Sequence, residues 1–265
     1  MKLLSAIITA LLLVPAGVRA DQTVPVRVRV LTYNIHHGEG RDGKLDLARQ
    51  AEVMKAAEPD VIALQEVDQG TERASGVMQM DELARMMGMH ATFGRTLDLP
   101  GGAYGLAILS RWSMLSTDTE PLPSAVGHEP RGALTAFIRA GRNGPLFQLT
   151  STHFDNSRDG NDRMDQAMHL DAMLGIGSTP SILAGDFNAR WDTDIMQVFA
   201  PNWMNPSGGE PLPAPAANGR PRGRGDFVLY RPEGSWKVVE NTILEDNVAS
   251  DHRAVLTVLE WVGSS

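Results

Sequence analysis

Apolar and charged positions alternate through Val26-Arg-Val-Arg-Val30 and run into Leu31-Thr-Tyr-Asn-Ile35, the two-residue period of a strand with one buried face. From Leu45 to Ala57 the period changes. Leu45, Leu47, Ala48, Ala51, Val53, Met54 and Ala57 recur at helical spacing and stop short of Pro59. Val61-Ile-Ala-Leu64 then reads as a short buried strand, followed by a helix over Met80 to Met87 and a buried strand over Gly105-Leu-Ala-Ile-Leu-Ser110. Leu134 to Ile138 and Leu146 to His153 read as hairpin partners across Gly141-Arg-Asn-Gly144. A helix from about Asp162 to Leu174 turns Met164, Ala167, Met168, Leu170, Met173 and Leu174 inward and leads to the strand Ser181-Ile-Leu-Ala184. Late strands are expected over Phe227 to Tyr230, Trp236 to Val239 and Ala254 to Trp261.

Helix–strand alternation and hairpins occur together, so the pattern predicts a mixed sheet or a pair of sheets with helices outside, not a parallel doubly wound fold. At 265 residues and 42% hydrophobic content, one large domain suffices. Lys2, the apolar stretch Leu3 to Val14, and Pro15-Ala-Gly-Val-Arg-Ala20 read as a secretory signal peptide over residues 1–20. The apolar stretch is shorter than the ~20 residues a bilayer-crossing helix needs. Cleavage is expected after Ala20, leaving residues 21–265 as a single domain in a secreted or periplasmic protein. Removing Lys2 and Arg19 leaves 22 basic side chains against 32 acids, a formal charge of −10. That balance tilts against sequence-independent binding to DNA. The chain has no cysteine, which excludes disulfides, thiolate zinc sites and a cysteine nucleophile, so a metal must be held by oxygen or imidazole. The stretch Pro201 to Gly225, dense in Pro and Gly with Arg220, Arg222 and Arg224, reads as a long loop, functional or disordered, and is expected to set substrate choice.

Polar residues with acid, base or ligand chemistry recur where apolar strands end. Asn34 follows Leu31-Thr-Tyr33, Glu66 follows Ile62-Ala-Leu-Gln65, and His153 follows Leu149-Thr-Ser-Thr152. Asp186 and Asn188 follow Ile182-Leu-Ala-Gly185, and Asp251-His252 precedes the last strand. Any one of them alone is ordinary turn or capping chemistry. Recurrence at so many strand ends predicts a site built where the ends converge. Carboxylate, amide and imidazole without thiolate suit a hard cation, Mg²⁺ or Mn²⁺, of the kind that neutralises phosphate oxygens.

Leu31-Thr-Tyr-Asn-Ile-His-His-Gly38, Leu64-Gln-Glu-Val67, Gly105-Leu-Ala-Ile-Leu-Ser-Arg111, Thr152-His153, Gly185-Asp-Phe-Asn188 and Ser250-Asp-His252 resemble, in order, the successive motifs of the endonuclease/exonuclease/phosphatase superfamily. The resemblance spans nearly the whole chain after residue 20. It implies two mixed β-sheets packed face to face with helices outside, a four-layer α/β (α+β) sandwich like that of deoxyribonuclease I, and a metal-dependent phosphoester hydrolase. It implies that Glu66 binds the metal, that Asn34 contacts metal or phosphate, and that Asp251 completes the metal shell. Asp186 and Asn188 match the pair that positions or deprotonates the attacking water and holds the phosphate. His252 matches the histidine that works on the scissile phosphate, with Asp226 as its partner. His153 resembles the second histidine of the deoxyribonuclease-like and sphingomyelinase-like branches, which can protonate the leaving oxygen. Arg131, in Glu129-Pro-Arg-Gly132, is a candidate phosphate clamp set against the commoner role of a surface charge. Alternation beyond Asn34 puts His36 and His37 on opposite sides, so at most one is expected to face the site.

Two positions depart from the family pattern: Leu106 stands where many members carry asparagine, and Gly225 where isoleucine commonly precedes the late aspartate. Gly38-Glu-Gly-Arg-Asp-Gly-Lys44 lacks the Ser or Thr that a phosphate loop needs after its lysine, and no Gly-x-Ser-x-Gly segment marks a serine nucleophile. Nucleic acid, a phospholipid head group and a small sugar or inositol phosphate all remain as substrates, and no stable protein partner is expected. The alternative is a catalytically silent module that binds a phosphorylated ligand or partner; retention of the catalytic positions argues against it.

Overall fold

Alternation along the first strand sets the layering. In β1 (Arg27–Asn34), Val28 and Val30 enter one buried cluster while Leu31 and Tyr33 enter another on the opposite face. A strand buried on both faces belongs inside a multilayer sandwich. The computed structural model describes residues 25–142, 144–208 and 225–263. The expected leader over residues 1–20, and the loop arginines Arg220, Arg222 and Arg224, lie outside the described residues.

Along the chain follow α1 (Leu47–Ala56), β2 (Val61–Gln69), α2 (Gln79–Met87), β3 (His90–Leu99), β4 (Gly102–Ser110), β5 (Met114–Leu122), β6 (Arg131–Arg139) and β7 (Leu146–His153). Then come α3 (Asn161–Leu174), β8 (Ser181–Asp186), the short α4 (Asp194–Gln197), β9 (Asp226–Arg231), β10 (Trp236–Ile243) and β11 (Val255–Trp261). One sheet has the order β10-β11-β1-β2-β4-β3, the other β5-β6-β7-β8-β9. The pairs β1/β2 and β7/β8 are parallel and the remaining pairs antiparallel, so both sheets are mixed.

Three apolar clusters fill the spaces between layers. Val28, Val30, Val61 and Ile108 of the first sheet meet Leu134, Phe147, Leu149 and Ile182 of the second. Outside the first sheet, Leu31, Tyr33, Ile62 and Leu64 pack against Ala51, Met54 and Leu83 of α1 and α2. Outside the second, Leu183 and Leu229 pack with Ala167, Leu170 and Leu174 of α3 and with Phe154, Phe187, Phe199 and Trp203. The four-layer sandwich of two mixed sheets is therefore the observed architecture.

Towards one end of the inter-sheet core the side chains turn polar and bond across the seam. Thr32 Oγ1 donates to Gln65 Oε1 (3.4 Å), Gln65 Nε2 to Ser151 Oγ (3.1 Å), and Ser151 Oγ to the Leu64 carbonyl (3.2 Å). Each of these residues is fully buried, so the bonds offset a desolvation cost of roughly 1–3 kcal/mol per group.

Among the regular elements, the structure differs from the sequence expectation at β3, β5 and α3. β3 and β5 were not expected; they are the outer strands of their sheets, largely polar and solvent-facing, and β5 carries Pro121. Edge strands need no hydrophobic alternation and tolerate proline. In α3, Met168 and Met173 are exposed rather than inward; the buried face is Asp162, Gln166, Ala167, Leu170 and Leu174. Gln166 is inside because its amide accepts from Asp155 N–H (2.9 Å) and donates to the Pro123 carbonyl (2.8 Å). Of the long loop, residues 201–208 and Gly225 are described: Trp203 is buried against α3 and Met204 bridges Tyr230.

Phe147 stands edge-on to both Trp112 and Trp236, with centroids 6.5 and 6.1 Å away. Truncating it with Phe147→Ala is expected to cost about 3–5 kcal/mol. A drop in the urea midpoint at unchanged slope is the measurement, and a loss under 1 kcal/mol would contradict this packing.

Candidate active site

The polar groups expected from the sequence converge at one end of the sandwich, and neighbouring strands explain why. His153 pairs in register with Asp186, and Asp186 with Asp226, so the ends of β7 and β8 and the start of β9 set the three side by side. From the facing sheet, Asn34 at the end of β1 is fully buried. Its Nδ2 donates to Glu66 Oε1 (2.8 Å) and to Asp186 Oδ2 (3.2 Å), while its Oδ1 accepts from His36 N–H (3.0 Å).

Glu66 reaches this point through a break in the strand. Strict alternation would put it on the face of Ile62 and Leu64, under the helices. The β2/β4 register shifts between Leu64 and Val67, and Glu66 has φ +56°. A bulge that re-aims one side chain is a known device beside functional sites. Glu66 thus lies inside a longer β2, and not at a strand end as its sequence suggested.

The segment before β11 is pinned from below. Ser250 Oγ donates to the Asn34 carbonyl (2.8 Å) and accepts from His252 N–H (3.2 Å). His252 Nδ1 lies 3.1 Å from Asp226 Oδ2, and its Nε2 is 3.6 Å from Asp186 Oδ2. Asp251 is partly exposed, and its backbone carbonyl accepts from Arg41. Asn188 adopts φ +47°; its N–H bonds Asp186 Oδ1 (2.9 Å), and its Nδ2 donates to the Phe154 carbonyl (2.9 Å) and approaches His153 Nε2 (3.2 Å). Arg131 is buried rather than an ordinary surface charge, with Nη1 2.9 Å from His153 Nδ1 and 3.0 Å from Glu129. Glu66, Arg131, His153, Asp186, Asn188, Asp251 and His252 line one polar pocket of about 360 Å³; Asn34 and Asp226 touch its lining residues without lining it themselves.

Neighbours push the two histidines in opposite directions. Burial lowers His252, but Asp226, then Asp186 and Asp251, outweigh it and hold the imidazole up at about 10. Burial and then the Arg131 guanidinium push His153 down to about 3. Burial also raises Glu66 above the usual carboxylate range, against the Asn34 hydrogen bond. A cation beside Glu66 would relieve that burial penalty, and the nearby groups offer oxygen and imidazole donors only. Ligand atoms of His36, His37 and Glu66 lie within 4.8 Å of one another, as do those of Asp186, Asp226 and His252.

Residues 31–252 match the profile described as the Endonuclease/Exonuclease/phosphatase family. The chain belongs to that family. Among solved structures it is similar to an endonuclease/exonuclease/phosphatase from Beutenbergia cavernae at 26% identity and TM-score 0.74, over 90% of this chain and 72% of that one. The human nocturnin catalytic domain with bound sulfate shares 19% identity at TM-score 0.70, over 90% and 96% of the two chains. A Bacteroides thetaiotaomicron mannosyl-6-phosphatase shares 18% at TM-score 0.68, over 88% and 99%. No curated protein sequence matches the chain. Members of this family are phosphoester hydrolases that generally use divalent metals.

The family departures have local explanations. Leu106 is buried in the inter-sheet core and also borders a small void beside Arg131 and His153. At Gly225 an added Cβ would sit 2.6 Å from Asp186 Oδ1, so a side chain there would displace the carboxylate. For His36 and His37 the expectation that at most one faces the site holds, but not through strand alternation: β1 has ended, both residues have positive φ, and their rings lie 4.4 Å apart. Of the two, His36 lines the pocket. Sequence reasoning missed Arg73 at the pocket rim, where Asp68 holds it in two hydrogen bonds (2.7 and 2.8 Å) and Tyr104 lies 5.3 Å beneath. The Asp68–Arg73 spacing fits no helix or strand period; only the turn of 71–77 brings them together.

The segment that carries Glu129 and Arg131 into the pocket is tied down by His128, whose Nδ1 lies 2.7 Å from Asp162 Oδ2. That hydrogen bond raises the His128 pKa. A folded-state value above the unfolded one gives stability that is complete below about pH 6.5 and lost as pH rises through the raised value. The wild type should therefore exceed His128→Gln in unfolding midpoint at pH 6, with the gap closing at alkaline pH. Denaturant titrations across pH test this, and a gap independent of pH would refute it.

Proposed function

We propose that this protein hydrolyses phosphoester bonds by in-line attack of a water molecule, with Mg²⁺ or Mn²⁺ held by Glu66 and Asp251. The observation that carries the proposal is the meeting, in one pocket, of His252 backed by Asp226, the buried carboxylate of Asp186 and the Glu66 carboxylate bonded to Asn34. Both carboxylates offer hard oxygen donors, the donor set such a cation prefers. When bound, the cation supplies charge neutralisation to phosphoryl oxygens and the leaving group. The Asn34 amide spends its protons on Glu66 and Asp186, so it orients the metal-binding carboxylate and the base rather than serving chiefly as a ligand.

Asp186 is the group to orient the attacking water and accept its proton. Its Oδ1 is fixed by the Asn188 N–H, and its Oδ2 stands 3.6 Å from Nε2 of each histidine. His252 carries its positive charge at neutral pH because Asp226 holds Nδ1–H, leaving Nε2–H free to donate to a phosphoryl oxygen. Asn188, whose amide stands beside His153 Nε2 in the same pocket, adds a donor that complements an anionic group.

The pocket volume of about 360 Å³ and the acidic chain favour a small phosphoester or head group over sequence-independent DNA binding. The mannosyl-6-phosphatase neighbour is a phosphatase of a small sugar phosphate, and it supports the same reading. Export follows from the pattern of residues 1–20; mass spectrometry of protein recovered outside the cytoplasm should find Asp21 at the amino terminus.

Hydrolysis of p-nitrophenyl phosphate, bis-p-nitrophenyl phosphate, sugar phosphates, sphingomyelin and plasmid DNA should depend on Mg²⁺ or Mn²⁺ and stop with EDTA. His252→Ala and Asp186→Ala should each lower kcat by about 10²–10⁴-fold with folding intact, the range for losing a positioned acid or base. Turnover that survives both EDTA and Asp186→Ala would reject the mechanism.

A further inference from the structure

Both nitrogens of His153 face hydrogen-bond donors. Arg131 Nη1 lies 2.9 Å from Nδ1 and the Asn188 amide nitrogen 3.2 Å from Nε2. Arginine stays protonated and has no acceptor, so the short contact to Nδ1 exists only if Nδ1 carries a lone pair. A histidine with a lone pair on Nδ1 is neutral, and its one proton sits on Nε2. Asp186 Oδ2 stands 3.6 Å from Nε2, and one proton of the Asn188 amide goes to the Phe154 carbonyl. Nε2–H and the second Asn188 proton thus crowd together with too few acceptors, at a point open to the pocket.

We infer that Arg131 is a positioning residue that locks His153 as the neutral Nε2–H tautomer, making it a fixed donor to a non-bridging phosphoryl oxygen rather than the acid that protonates the leaving group. The role goes through His153. Arg131 is buried, its Nη1 is shared between His153 and Glu129, and its Nε has no partner of its own. A neutral imidazole is too weak an acid to protonate a leaving alkoxide, so that proton must come from another group or from solvent. The low pKa of His153 agrees with the geometry, which would stand without it.

The groups facing His153 are Arg131 from β6, Asp186 from β8, Asn188 after β8 and His252 before β11. Only Arg131 is a permanent cation among them, so its replacement should change the ring's protonation most. The decisive measurement is the ¹⁵N spectrum of the full protein labelled at histidine, with His153 assigned by its loss in His153→Gln. At pH 7 the wild type should show a pyridine-type Nδ1 and a pyrrole-type Nε2. Arg131→Met should convert this to a tautomer mixture or an imidazolium, and Arg131→Lys, which keeps a donating cation, should restore part of the wild-type pattern. An imidazolium in the wild type, or a pattern unchanged in Arg131→Met, overturns the inference. Should Arg131→Met not fold, the wild-type and Arg131→Lys spectra still decide it.

A second arm rests on the phosphoester reading above. His153→Gln should slow esters with p-nitrophenolate and with alkoxide leaving groups by the same factor. A loss at least tenfold larger for the alkoxide would assign His153 the acid role and overturn the inference. The spectrum needs no substrate, so failure of the hydrolase reading and failure of this inference give different results.

Discussion

Asn34 has two amide protons and gives one to a carboxylate on each sheet. Glu66 belongs to the sheet that carries Asn34, Asp186 to the facing one, and both acids are withdrawn from water to an extent that an unpaired carboxylate does not tolerate. The bond therefore does more than occupy two acceptors. It sets how far apart the sheet ends stand and in what register, because an error of an ångström breaks one contact or the other. The Thr32–Gln65–Ser151 chain repeats the constraint one layer deeper, and the apolar core below supplies the closing force.

From that tie the electrostatics of the pocket follow. The two histidines are the same amino acid, each 3.6 Å from the same Asp186 oxygen, yet one is held as a cation and the other as a neutral ring. The difference lies in what occupies Nδ1: a carboxylate, Asp226, on His252, and a guanidinium, Arg131, on His153. A partner that can only accept and a partner that can only donate make one residue type into two reagents.

The sequence revealed more of the site than of the route by which its residues arrive. Asn34, His153, Asp186 and Asp226 were legible because each ends or begins a strand whose apolar pattern is unambiguous. Glu66 was identifiable by its motif and misread by its geometry, since a bulge depends on a register shift against β4 that no local pattern encodes. The outer strands β3 and β5 went unseen for a related reason: with one edge and much of one face in water, their composition is close to that of a loop. Arg73 was invisible because its partners, Asp68 and Tyr104, are assembled by turns and tertiary contact. In α3, Gln166 took a core position from Met168 because loop backbone groups needed its amide, a demand that hydrophobicity alone does not express.

β11 carries its own consequence. It is the last strand among the described residues, yet it lies between β10 and β1 in the interior of its sheet, and the residues just before it include Ser250, which pins the Asn34 carbonyl, and His252. Without β11, β10 loses its connection to β1, so the segment that carries Ser250 and His252 is seated only when the whole of this sheet has closed, and order in the pocket is tied to completion of the fold rather than to any one strand.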